Sequence, residues 1–402
     1  MKRIAVVVTA RPSYSRVRST LHALRSDPGV ELLVIAAASS LLERYGCVVD
    51  TIEADGFEVA DRLYTVVEGG GPSRSTQTVA LGLLSTTEAF ERLKPDCVVT
   101  LADRYETMAT AIAATYLNIP LVHIQGGEFT GNIDNKVRHA ITKLADLHLV
   151  ASQIARKRVI SMGEDPERVV VTGCPSVDIA ASVKRAFSGR DDAEAVLRRH
   201  GGVGPNFGRG SDYLVVMQHP VTSEYAASRE QAEVLLDACA ASDLPVIWFW
   251  PNVDAGSDGT SKALRLFRER NPTADFRFFK NLPPEDFLTL LLGCRALVGN
   301  SSVGIRECSF LGVPVVNIGS RQVGRERGGN VVDVGYDANE IRGAIQEQAS
   351  RGLYPEEHIY GDGRAGPRLA KWIANCDGRI EKFDFCLGEA MDSASDWSRV
   401  DI

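Results

Sequence analysis

Short apolar runs, each followed by a stretch with helical spacing, recur along nearly the whole chain, and this alternation restricts the fold more than any other feature. A run of four to seven apolar residues between turn signals reads as a buried strand, and a helix between two such strands makes them parallel. In the first half the runs are Ile4–Thr9, Glu31–Ala37, Cys97–Leu101, Leu121–Ile124, His148–Ala151 and Val169–Thr172, with helical patterns at Val17–Arg25, Tyr105–Leu117 and Val137–Leu144. The rhythm fails between Ala186 and Asp212, where a charged helical stretch gives way to the glycine-rich segment Gly201 to Gly208. It resumes with runs at Tyr213–Met217, Pro245–Phe249, Phe276–Phe279, Ala296–Gly299 and Val315–Ile318. The sequence therefore predicts the α/β class, with two wound parallel sheets in tandem and a cleft between them.

A chain of 402 residues has room for two such units, each with its own core. Its formal net charge of −7 speaks against general attraction to nucleic acid or to an anionic membrane surface, so a small partner is expected. Met1-Lys2-Arg3 and the run after it look like a first strand rather than a signal peptide, and no apolar stretch approaches the roughly 20 residues of a membrane span. Eight cysteines lie in apolar contexts without CxxC spacing, which suggests neither a zinc site nor a disulfide framework and fits a reducing cytoplasm.

Gly299-Asn300-Ser301-Ser302-Val303-Gly304-Ile305-Arg306-Glu307 joins a strand to a helix expected from Ile305 to Leu311. Backbone N–H groups and two hydroxyls at such a turn suit a phosphate, although an ordinary Asn/Ser helix cap explains the same residues. Other strand ends carry charge: Arg11 and Ser15 follow the first run, Asp103 and Arg104 follow Cys97–Leu101, and Gln125, Glu128 and Asp134 follow Leu121–Ile124. In the second half His219, Asn252 and Arg321 follow strands, and Glu307 lies one turn into its helix. The carboxyl edge of a wound sheet is where ligands bind. Arg325 and Arg327 follow Arg321, with solvated surface charge the plain reading for at least one of the three. Gly69-Gly70-Gly71 looks like a mobile loop and a possible lid. GxxxxGK[ST], HExxH, GxSxG and EF-hand patterns are missing, as is a GxGxxG after the first strand.

Taken in order, these motifs resemble the UDP-N-acetylglucosamine 2-epimerases, most closely the hydrolysing branch that makes N-acetylmannosamine for sialic-acid-like sugars. The resemblance rests on Asp103-Arg104, the segment from His123 to Asp134, Arg138-His139-Ala140-Ile141-Thr142-Lys143-Leu144-Ala145, Gly173-Cys174-Pro175-Ser176, His219-Pro220-Val221-Thr222, Pro251-Asn252, Gly299 to Glu307, Arg321-Gln322 and Tyr360-Gly361-Asp362-Gly363. It implies the two-domain glycosyltransferase-B architecture. The expected division is 1–185 for the sugar side, 186–365 for the UDP side, and 366–402 for a helix and tail crossing back to the first domain. It also implies UDP held by Ser301, Ser302 and Glu307 with His219, Arg321, Asn252 and Lys280, completed by Arg11, Ser15 and Arg104. It implies a UDP-sugar substrate, no cofactor or metal, and a homo-oligomer, a dimer or tetramer. The reaction implied is anti elimination of UDP to 2-acetamidoglucal followed by inversion at C2.

One departure bears on the chemistry. Where the family usually has a catalytic glutamate this chain has Gln125, and an amide cannot exchange protons as a carboxylate does. Ala102 also stands where the family often has glycine, and Ser13 where it has an acid. The expectation is that Asp103, Asp134 and Glu128 share the proton work while Gln125 hydrogen-bonds substrate or water. Two outcomes stay open after elimination, hydrolysis to N-acetylmannosamine and UDP being slightly favoured over return of UDP. A glycosyltransferase of the same fold, or a non-catalytic nucleotide-sugar sensor, ranks below both.

Overall fold

The computed structural model describes residues 1–376, 378 and 382, apart from 44–45, 69–71, 131–132, 209 and 252–255. Asn252, the glycine run at 69–71, residues 131–132 of the helix-capping segment and the end of the tail thus lie outside the described residues.

The first sheet has seven strands: β1 Lys2–Val8, β2 Val30–Ala37, β3 Val59–Leu63, β4 Cys97–Leu101, β5 Leu121–Ile124, β6 Leu147–Val150 and β7 Val169–Val171. The second has six: β8 Leu214–Met217, β9 Val246–Phe249, β10 Phe276–Phe279, β11 Ala296–Gly299, β12 Val315–Ile318 and β13 Val331–Val334. Spatial order is β3-β2-β1-β4-β5-β6-β7 in one and β10-β9-β8-β11-β12-β13 in the other. The strands pair in parallel, as in Ile4 beside Cys97 and Gly299 beside Met217. Strand order therefore reverses between β1 and β4, and again between β8 and β11, the positions at which such sheets open a ligand crevice at their carboxyl edge.

The sequence pattern finds eleven of these strands and misses β3 and β13. Both lie at sheet edges, and both are only partly buried along their length. A strand covered on one face and open at its edge carries polar residues, here Asp61, Arg62 and Asp333, and so never reads as a continuous apolar run. The helix expected from Val137 begins earlier, at Ile133, because its first turn is polar and gives no apolar signal.

Helix Ala365–Ala374 returns to the first sheet, where Leu369, Ala370 and Ile373 join a core that includes Val6, Leu21, Leu24 and Val99. Its amino end is fastened by Asp178, which accepts from the amides of Ala365 (2.8 Å) and Gly366 (2.7 Å) and from the Ser19 hydroxyl (2.8 Å). Gly366 is obligatory there, since a Cβ would lie 2.4 Å from Ser19 Oγ. Asp178→Ala strands two helix-end amides and is expected to cost about 1–3 kcal/mol of unfolding free energy. Urea denaturation reads this as a lower midpoint at unchanged slope, and Asp178→Asn, which keeps an acceptor, should lose less.

Candidate active site

On the second sheet the site is organised by Asn300. Gly299 reaches it at φ +126°, and a Cβ at Gly299 would sit 2.3 Å from the Met217 carbonyl, so only glycine lets β11 turn so close to β8. The Asn300 side chain, fully buried, accepts from the His219 amide and donates to the His219 carbonyl, both at 2.8 Å. Its own carbonyl accepts from Arg321 Nη1 (3.2 Å) and Gln322 Nε2 (2.8 Å). One asparagine thus ties together the loops after the adjacent strands β8, β11 and β12.

Ser301 takes up the capping role, its hydroxyl accepting from the Val303 amide at 3.4 Å. The helix expected across Ile305–Leu311 is instead two single turns, Ser302–Ile305 and Glu307–Leu311, interrupted at Arg306. Such short helices carry little macrodipole, so anion attraction here rests on local N–H groups and neighbouring cations. His219 is buried, and burial followed by the charges of Arg321 and Arg11 pushes its pKa well down, leaving a neutral imidazole at neutral pH. Arg11 opens the short helix Arg11–Ser15 after β1, so charges carried by both sheets act on this one imidazole.

On the first sheet, β4 and β5 end side by side in left-handed backbone: Ala102 at φ +57° and Gln125 at φ +64°. Neither residue type favours that region, and such strain concentrates at functional sites. The glycine usual at position 102 has a plain backbone reason. His123 supports the turn, donating from Nε2 to the Ala102 carbonyl at 2.9 Å, and burial lowers its pKa to about 3, so it is neutral.

Asp103 pairs with Arg138, which is almost wholly buried and also donates to the Glu128 carbonyl (2.6 Å) and Asn135 Oδ1 (3.0 Å). Burial alone would raise the Asp103 pKa, but Arg138, then Arg16, Arg325 and Arg306, hold it far below the usual carboxylate range. Asp134 lies in the first turn of the helix that carries Arg138, one turn away and on the same face. Glu128 pairs with Arg306 at 2.5 Å and Arg325 at 3.5 Å. Desolvation there is outweighed chiefly by Arg306, and the pKa falls to about 2. Near neutral pH Glu128 is therefore a carboxylate paired with two arginines.

Gln125 is buried and donates from Nε2 to Cys174 Sγ at 2.9 Å, and Cys174 contacts Ser176 Oγ at 2.9 Å. Ser176 in turn hydrogen-bonds Glu307, whose pKa is raised by burial against the opposing effect of Arg306. Gln125 Oε1 is left without a protein partner. Arg104 holds Glu106 at 3.0 Å, and the Ser15 hydroxyl donates to the Pro12 carbonyl at 3.1 Å. Lys280 is exposed at the end of β10, an edge strand. Of the basic run after β12, Arg325 is buried in the cleft, whereas Arg327 pairs with Asp333 at 2.8 Å.

Sequence reading missed the roles of Arg16 and Arg306, and of Asn300 beyond capping. Lone arginines read as solvated charge, and nothing in their spacing announces that folding will bury Arg306 and half-bury Arg16. Arg16, Arg138, Arg306 and Arg325 surround Asp103 and Glu128, so cations outnumber carboxylates and the cleft favours an anionic ligand.

A family model described as UDP-N-acetylglucosamine 2-epimerase matches residues 22–374. The UDP-N,N'-diacetylbacillosamine 2-epimerase (hydrolyzing) of Legionella pneumophila is 32% identical over 368 residues, covering 92% of this chain and 94% of that protein. The GDP/UDP-N,N'-diacetylbacillosamine 2-epimerase (hydrolyzing) of Campylobacter jejuni is 28% identical over 352 residues, covering 87% and 88%. Among solved structures, UDP-GlcNAc 2-epimerase from Neisseria meningitidis bound to UDP-GlcNAc has a TM-score of 0.76 at 16% identity, covering 92% of this chain and 99% of that one, which shows a shared fold.

The depressed pKa of Glu128 gives a pH signature. A fall from 4.5 to about 2 corresponds to roughly 3 kcal/mol of stability. That contribution is complete above the unfolded pKa and is lost as pH falls through the folded one. Glu128→Gln should therefore unfold at lower urea than the wild type at pH 7, with the gap closing progressively below pH ~4.5 as the wild-type carboxylate protonates. A gap that stays constant down to pH ~2.5 would contradict the ion pair.

Proposed function

The chain belongs to the UDP-N-acetylglucosamine 2-epimerase family, and from that premise we propose that it acts as a hydrolysing 2-epimerase, converting UDP-N-acetylglucosamine and water to N-acetylmannosamine and UDP. The observation that carries this reading is that Arg11 from one sheet and Arg321 from the other both act electrostatically on buried His219, with the strained strand ends before Asp103 and at Gln125 on the first sheet. The diphosphate would lie against the Gly299–Ser302 turn, Arg11, His219 and Arg321, with Glu307 toward the ribose. The sugar would point to Ser15, Arg104, Asp103, Gln125 and Asp134.

The C2 hydrogen of N-acetylglucosamine is not acidic, because no ring carbonyl adjoins it. Inversion becomes feasible when its removal is coupled to departure of UDP. A base takes the C2 proton, the C–H pair forms the C1–C2 double bond, and the C1–O bond breaks with its electrons leaving on the diphosphate. Charge then develops where Arg11, Arg321, neutral His219 and the turn amides offer donors, and losing one comparable donor costs about 3 kcal/mol. Water then adds its oxygen to C1 while a proton returns to C2 from the opposite face. Asp103, locked to Arg138, must be released before it can accept a proton, and Asp134, in the first turn of the helix that carries Arg138, is the second carboxylate offered to the exchange. Gln125 offers its unpartnered Oε1 to a substrate N–H, O–H or water.

The hydrolysing outcome is supported by the two relatives named as hydrolyzing. Their names also favour a second reading of the sugar, a UDP-N,N'-diacetylbacillosamine substrate bound by the same contacts. A homo-oligomer is supported by Leu81, Leu84 and Tyr116, large apolar side chains left exposed on two packed helices. No helix among the described residues is long and apolar enough to cross a membrane.

Incubation with either nucleotide sugar in D₂O, followed by proton and phosphorus NMR, should show deuterium at C2, free UDP and an inverted free sugar. UDP retained on the inverted sugar would make the enzyme non-hydrolysing, release only with an added acceptor would make it a transferase, and binding without turnover a sensor. Asp103→Asn and Asp134→Asn should each lower kcat by about 10²–10⁴. Wild-type rates in both would remove these carboxylates from the proton transfers.

A further inference from the structure

Between the two sheets, the loops after β5 and β6 are joined at several points, outside the diphosphate contacts, to the segments after β11 and β12. Glu128 meets Arg306 at 2.5 Å and Arg325 at 3.5 Å, and each of these three side chains is more than nine-tenths buried. The next residue, Phe129, lies against Gly324, where a Cβ would fall 2.4 Å from the ring. Ser152, after β6, donates to the Glu326 carboxylate, and Tyr360 donates to the Glu326 carbonyl at 2.9 Å. Arg158 stands 5.8 Å over the Phe129 ring. The loops after β5 and β12 are continuous with Gln125 on the sugar side and Arg321 on the nucleotide side.

We propose that Glu128 is a positioning residue, the centre of a latch that pins loop 125–130 to Arg306 after β11 and to loop 320–327 after β12, and keeps the glycal intermediate enclosed until water has added. For its consequence the inference rests on the epimerase reading, but the latch itself stands on the contacts. Glu128 supplies one negative charge to two buried guanidinium groups, and Arg325 keeps Nε and Nη1 without a protein partner. A buried cation left half-compensated is costly, so a bound diphosphate that adds negative charge nearby lowers the cost of holding the loops together. Nucleotide binding therefore tightens the latch. Loss of UDP after hydrolysis loosens it and lets the product leave. Enclosure matters because 2-acetamidoglucal carries no charge and has no diphosphate to hold it once the C1–O bond has broken.

Hydrogen exchange in peptides spanning 125–130 and 320–327, measured with and without saturating UDP, tests the latch directly. In Glu128→Gln and, separately, in Phe129→Ala, both loops should exchange about tenfold faster while the strands keep wild-type protection, and the added protection from UDP should shrink. Single-turnover reactions with UDP-N-acetylglucosamine should then release free 2-acetamidoglucal in about tenfold greater proportion to N-acetylmannosamine. Wild-type exchange of both loops in both variants overturns the latch. So does a Glu128→Gln enzyme whose glycal proportion is unchanged while the acidic limb of its pH–rate profile disappears, since that is the behaviour of a direct proton carrier. If the wild type turns over no nucleotide sugar, the epimerase reading fails alone, and the exchange measurement still decides the latch.

Discussion

Four guanidinium groups and three carboxylates, Asp103, Glu128 and Glu307, share one cleft shielded in large part from water, and much of the surrounding structure serves to make that arrangement tolerable. Removing an ion from water costs several kcal/mol even after relaxation, and the cost is recovered only when partners are close and well directed. Arg138 is therefore surrounded by Asp103, the Glu128 carbonyl and Asn135, and Arg306 by Glu128 and the face of Tyr360, 5.8 Å away. The compensation is incomplete. A diphosphate bound nearby would offset part of that surplus positive charge.

Backbone geometry sets where those charges can stand. β4 and β5 end in left-handed residues, which turn the chain sharply enough to bring Asp103 and Gln125 to the crevice instead of letting each strand run straight into its helix. On the other sheet Gly299 permits a close approach to β8 that no residue with a Cβ allows, and Asn300 converts it into a rigid connection among three loops. Strain on one wall and a side-chain amide on the other hold the two halves of the site in register.

Much of this architecture was legible from apolar spacing. Eleven strands, most of their ends within one residue, and the charged residues at their carboxyl edges follow from burial on both faces of a parallel sheet, which leaves continuous apolar runs. The edge strands β3 and β13 escaped because half-exposed strands carry polar residues. The turn at Gly299 also read correctly as a junction of strand and hydroxyl-bearing loop. Its helix did not, because nothing local announces that Arg306 will reach across the cleft and divide the helix into two single turns.

Sequence by itself determined the α/β class, the two tandem sheets, the family, and the presence of an amide at position 125 where proton exchange would need a carboxylate. These properties are local: they depend on spacing, on residue chemistry and on the order of short motifs. Tertiary structure alone decided that Glu128 serves as an ion-pair partner to Arg306 and Arg325, that Arg327 stays outside the cleft while Arg325 enters it, and that Asn300 is more than a cap. A carboxylate beside water and one between two buried guanidinium groups are the same residue in a sequence. Only the partners that folding brings from distant parts of the chain, Arg306 from 178 positions away and Arg325 from farther still, decide which of the two it becomes.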